Sequence, residues 1–186
     1  MKWVNTKNQK NKILQYDEKY LSSYYDPIKE SIKWIHSLNK YVLKKDHILV
    51  LGCGSGYHID QLDRLGLFKS IHVLCLSSKQ KQLIEESFQY SESVVLHSSK
   101  ELSTQLHESL NFKSFGLCEI STDKVLDLQL YNKLKAELTQ RNTQFIINNK
   151  DFKLQSEPED NELLSVKHVS YIKNPTVDKI MQELVK

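Results

Sequence analysis

The chain has 186 residues, enough for one ordinary domain with its own buried core and too few for two. Its 26 basic residues, of which only Arg64 and Arg141 are arginine, stand against 23 acidic ones; a net charge of +3 excludes a strongly basic nucleic-acid arm and an acidic tail. With 39% apolar and 26% charged residues, neither a membrane protein nor a disordered polyelectrolyte fits.

Residues 1–25 read as a basic extension. Lys2, Lys7, Lys10 and Lys12 occur there before any acid, no apolar signal core follows Met1, and a mobile arm is expected. From Asp26 the pattern turns helical. Asp26 is a good N-cap, Pro27 suits the first helical position, and Ile28, Ile32, Ile35, Leu38 and Val42 recur at three- and four-residue steps. The run His47 to Leu51 then has the continuous apolar character of a strand buried on both faces of a parallel sheet. The alternation repeats. Helices carrying Ile59, Leu62 and Leu65, then Leu83, Ile84 and Phe88, then Leu102, Leu106 and Leu110, then Leu130, Tyr131, Leu134 and Leu138 are followed in turn by strands at Ile71–Leu76, Val94–Leu96, Phe115–Ile120 and Phe145–Ile147. After a polar loop over 151–161, Leu163–Ile172 reads as a last strand and Val177 to Leu184 as a closing helix. The expected fold is α/β, a Rossmann-like, doubly wound and mainly parallel sheet of about six strands behind an N-terminal helical lead-in, with 26–186 as a single domain.

Only five glycines occur, and Gly52, Gly54, Gly56 and Gly66 fall within fifteen residues. The segment Gly52-Cys53-Gly54-Ser55-Gly56 directly follows the first buried strand and opens a helix. Residues without Cβ let backbone N–H groups approach a ligand there, and the helix N-terminus adds partial positive charge. A phosphate-binding P-loop would need a Lys followed by Ser or Thr, which is absent, and the G-x-G-x-G spacing differs from the G-x-G-x-x-G of dinucleotide sites. This spacing, together with the lead-in Tyr16-Asp17-Glu18-Lys19-Tyr20, resembles the class I S-adenosylmethionine-dependent methyltransferases over roughly Tyr16 to Asn149. Within them, Trp34 in the preceding helix, Leu49 to Gly54, and Asp123-Lys124 with Leu126-Asp127 are loosely similar to the lysine methyltransferases of translation elongation factor and their methyltransferase-like relatives.

The resemblance implies S-adenosylmethionine as cofactor, held by Gly52, Cys53, Gly54, Ser55 and Gly56, with contributions from Leu76, Ser77, Ser98 and Glu119. It also implies where the chain departs from the family. The acid that holds the ribose hydroxyls falls about twenty residues after the loop; here Leu76 stands there, between Cys75 and Ser77, and Ser77 replaces only part of such a contact. His97-Ser98-Ser99 stands where an acidic or amide residue would meet the adenine. The fourth strand ends in Glu119, Ser121, Thr122 and Asp123, of which Glu119 could orient an ammonium group. Gln140-Arg141-Asn142-Thr143 replaces the Pro-Gly-Gly turn before the fifth strand.

No residue can be singled out as catalytic. The seven histidines lack metal-site spacing, and no Ser-His-acid set emerges. His58, just after the loop, is expected as a half-exposed helix residue. Two functions stay open: an active methyltransferase acting on a protein lysine or small amine, whose chemistry needs mainly orientation and water exclusion, and a diverged, non-catalytic fold serving as a structural or interaction subunit that has lost the cofactor. The departures favour the second, with protein partners expected and nucleic acid not. Three cysteines in apolar runs, an odd number, imply reduced thiols in an intracellular reducing compartment, the cytoplasm first and the mitochondrion as the alternative. No apolar stretch approaches the roughly twenty residues of a membrane span.

Overall fold

The computed structural model describes residues 1–99 and 115–155, with side chains to residue 143. The chain opens on a three-stranded antiparallel sheet, β1 (Lys2–Asn5), β2 (Lys12–Tyr16) and β3 (Lys19–Tyr20), in which Trp3 pairs with Leu14 and Val4 with Ile13. This corrects the expected mobile arm. Two short apolar pairs, Trp3-Val4 and Ile13-Leu14, carry the sheet, and Ile13 and Leu14 are fully buried. The polar stretch between them is a turn, closed round Thr6 Oγ1, which lies 2.7 Å from Asn8 Oδ1 and 3.0 Å from the Asn11 carbonyl oxygen and accepts from the Asn11 N–H at 3.2 Å. A polar turn of Lys, Asn and Gln hides a hairpin because side chains, not periodicity, define it.

Helix α1 (Pro27–His36) starts as its sequence dictates, with Asp26 Oδ1 accepting from the Lys29 N–H at 2.9 Å. It stops short of Val42. Asn39 caps a separate turn, α2 (Lys40–Leu43), by accepting from the Tyr41 N–H at 2.9 Å, so the one expected helix is two.

Four parallel strands follow: β4 (His47–Leu51), β5 (Ser70–Cys75), β6 (Val94–Ser98) and β7 (Gly116–Glu119). Their order is β6-β5-β4-β7. The chain thus steps outward from β4 through β5 to β6 and returns to the other side of β4 for β7. Helices α3 (Tyr57–Arg64) and α4 (Ser78–Glu85) follow β4 and β5, and α5 (Leu128–Gln155) follows a 3-10 turn at Ser121–Val125.

Strand β4 feeds two apolar layers, which explains its continuous apolar sequence. Ile48 and Val50 join Ile71, Val73, Leu96 and Cys118 against Ile35 of α1, Ile59 and Leu62 of α3, and Leu14 and Leu21 of the N-terminal segment. Leu49 and Leu51 join Leu74 and Leu76 against Tyr131, Leu134 and Leu138 of α5. Cys53, Cys75 and Cys118 are free and buried.

The expected strand at Phe145–Ile147 is helical, within α5. No Gly or Pro stands between Leu128 and Gln155, so nothing stops a helix that Leu130, Tyr131, Leu134 and Leu138 begin. The expected sheet of about six strands is, among the described residues, a parallel sheet of four and a separate antiparallel sheet of three. The helix expected around Leu102–Leu110 and the strand and helix expected at 163–184 lie outside the described residues. Among those described, no helix is long and apolar enough to cross a membrane.

Candidate functional site

The glycine loop leaves β4 at the carboxyl edge of the parallel sheet, beside the point where the strand order reverses between β4 and β7. Open α/β sheets hold ligands there. Gly52, Gly54 and Gly56 all have positive φ (89°, 55° and 89°), and Gly56 caps α3 without a side-chain bond. The sequence therefore places the loop correctly, and the backbone has the shape of a cradle.

The chain itself fills that cradle. The Asp123 carboxylate, fully buried in the 3-10 turn after β7, accepts from the Cys53 N–H (Oδ2, 2.8 Å) and the Gly54 N–H (Oδ1, 3.0 Å). Gln80 Nε2, from the first turn of α4, bridges Asp123 Oδ2 and the Gly54 carbonyl, each at 3.0 Å. From the other side the N-terminal segment closes in. The Ser55 N–H donates to Ser22 Oγ (3.1 Å), and the Leu14 N–H donates to Ser55 Oγ (2.9 Å), all buried. A Cβ on Gly52 would lie 2.8 Å from the Ile120 carbonyl oxygen, and one on Gly54 would lie 2.8 Å from that of Leu21. The glycines are therefore required by close approach of the chain's own backbone.

The other expected cofactor contacts have the following surroundings. Leu76, standing where the resemblance expects a ribose-binding acid, is a core residue on the α5 side of the sheet. Ser77 precedes α4 in extended conformation and its side chain makes no capping bond. Ser98 is buried at the end of β6, opposite Cys75. Glu119 is turned to α5, where Lys135 Nζ donates to Oε1 (2.6 Å) and Tyr131 Oη to Oε2 (3.0 Å). Burial raises its pKa, but these two bonds outweigh burial and hold it below the usual range. Glu119 is a brace between β7 and α5, and its ammonium partner is Lys135. Because that pair is about half exposed, Lys135→Met should cost less than about 1 kcal/mol in a urea melt.

Asp123 stands at the strand end where the sequence shows it, whereas Gln80 and Ser22 carry no signal in the sequence.

Two buried groups give the domain opposite pH responses. His58 is buried, not half-exposed as expected, and packs edge-on under Trp34 at 5.3 Å between ring centroids. Trp34 in turn donates from Nε1 to the Glu119 carbonyl at 3.0 Å. Burial lowers the His58 pKa to about 4. Its contribution to stability is therefore present above pH 6.5 and lost as pH falls through 4, on the order of 3 kcal/mol. Asp123 is pushed up to about 6, first by burial, against the N–H groups of Cys53 and Gly54 and the Gln80 amide, which pull it down. Its contribution is present below the ordinary carboxylate value and lost as pH rises through 6, by a similar amount. The two nearly offset between pH 4 and 6.5. Replacing His58→Phe should therefore make the protein more stable at pH 4.5 than at pH 7, as read by melts across pH.

A groove of about 620 Å³ lies beside α3, lined by Ile28, Tyr57, Asp60, Arg64 and Phe88 among others, and none of its lining residues belongs to the glycine loop. No group of His, Cys, Asp and Glu able to hold a metal occurs among the described residues. No family model, curated protein or solved structure matches the chain.

Proposed function

We propose that this chain is a diverged class I methyltransferase fold, of Rossmann-like winding, that has given up catalysis and acts as a structural or interaction subunit. One observation carries the reading. The loop that would hold S-adenosylmethionine has its Cys53 and Gly54 N–H groups on Asp123, its Ser55 N–H on Ser22, and the positions above Gly52 and Gly54 occupied by the chain. The reversal of strand order beside β4 supports the winding. Leu76 in the core and Glu119 engaged by Lys135 support the loss of cofactor contacts. Tyr20, Tyr24 and Tyr25 support a role in protein contact: Tyr20 and Tyr24 stack at 4.7 Å, Tyr24 meets Tyr25 edge-on at 5.9 Å, and Tyr25 is 63% exposed.

Calorimetry of the purified protein with S-adenosylmethionine tests this. No heat of binding is expected at millimolar cofactor, whereas saturable micromolar binding would favour an active methyltransferase on a lysine or small amine.

A further inference from the structure

We infer that Asp123 is an internal ligand of the glycine loop, and that the loop is by chemistry a carboxylate site whose occupant the chain supplies from its own 3-10 turn. This deepens the proposal above and rests on the same closed loop.

The arrangement is that of ligand binding. Two successive N–H groups, Cys53 and Gly54, each meet a different oxygen of one carboxylate, at 2.8 and 3.0 Å. Such a fork selects a planar two-oxygen anion over a spherical one. A third donor, Gln80 Nε2, meets Oδ2 at 3.0 Å from another element. The orientation of the Gln80 amide is fixed, because Nε2 lies between two acceptors, Asp123 Oδ2 and the Gly54 carbonyl. That orientation leaves Gln80 Oε1 buried without a hydrogen-bond partner. An orphaned acceptor costs free energy, so the fold gives up one bond to deliver a donor to this carboxylate. The connection is local: Asp123 sits in a five-residue turn between β7 and α5, not in a strand or long helix. A carboxylate so tethered can be replaced by a free one without dismantling the sheet. The Cys53 thiol bonds the same carboxylate, with the Cys75 thiol against Cys53 and the Tyr131 phenol nearby. The carboxylate is thus met by two backbone N–H groups, the Gln80 amide and the Cys53 thiol.

Asp123→Ala should empty the fork while keeping the glycine backbone. Formate added to this variant is expected to raise its folded-to-unfolded ratio about elevenfold at ten times the formate Kd. Sodium chloride at equal ionic strength should not do so, and the wild-type protein should respond alike to both salts. A folded variant that melts identically in formate and chloride overturns the inference. Should the variant not fold, the wild-type protein decides by NMR: from pH 8 to 4.5 the Cys53 and Gly54 amide protons should titrate together with one midpoint, and amides that stay flat overturn it. Neither readout involves S-adenosylmethionine. A wild-type protein that binds the cofactor would defeat the proposed function, whereas formate failing on the variant would defeat only the internal ligand.

Discussion

Asp123→Ala is expected to lower the unfolding free energy by about 3 kcal/mol at pH 4.5, below the Asp123 midpoint, and by less at pH 7, with a melting temperature roughly 10 °C lower at pH 4.5. The residue is fully buried, and its loss strands two donors, the Cys53 and Gly54 N–H groups, and takes one of two acceptors from Gln80 Nε2. Each buried donor without an acceptor costs about 1–3 kcal/mol, and water entering the vacated space recovers part of it. The isosteric Asp123→Asn should not restore stability, since its amide turns an NH₂ toward donors where a carboxylate turned an oxygen. Urea melts of both variants check this. If Asp123 were only a solvent-side strand-end acid, the change would stay within about 0.5 kcal/mol.

Gly52→Ala should cost a comparable amount, about 3 kcal/mol, from two sources. At φ 89° an L side chain is strained by about 1–3 kcal/mol. The new Cβ would also lie 2.8 Å from the Ile120 carbonyl oxygen and 3.1 Å from Asp123 Oδ2, so β7 and its following turn would have to shift. Since both changes act on the Asp123 contact, the double variant should cost clearly less than the sum. A loop kept open for a cofactor would respond otherwise, losing affinity for that cofactor and little stability.

Much of the parallel sheet is legible because burial on two faces writes itself into the sequence. Ile48 to Leu51 and Ile71 to Cys75 have no polar face except at His72, and each lies in a strand. The N-terminal sheet was illegible for the opposite reason. Its buried residues come as isolated pairs, and the left-handed turns at Gln9 and Asp17 lack the glycines that would announce them. Phe145 to Ile147 looked like a strand because three apolar residues in a row carry no period, and the helix running in from Leu128 decides the matter.

The glycine loop was legible as a cradle, down to the three residues with positive φ. Its occupant was not, because Asp123 is some seventy residues away from Cys53 in sequence and meets it only through the β4–β7 pairing. Ser22 and Leu14 close the loop from a segment that composition presents as a basic tail. Distance along the chain, not weak chemistry, concealed the plug.

The chain occupies the N–H groups of its own glycine loop with Asp123 and Ser22, and under the proposed function S-adenosylmethionine does not bind there. The most direct measurement follows the backbone amide resonances of Gly52, Cys53, Gly54, Ser55 and Gly56 as the cofactor is added to millimolar concentration. All five are expected to stay in place. Saturating shifts of these amides at micromolar cofactor would contradict it.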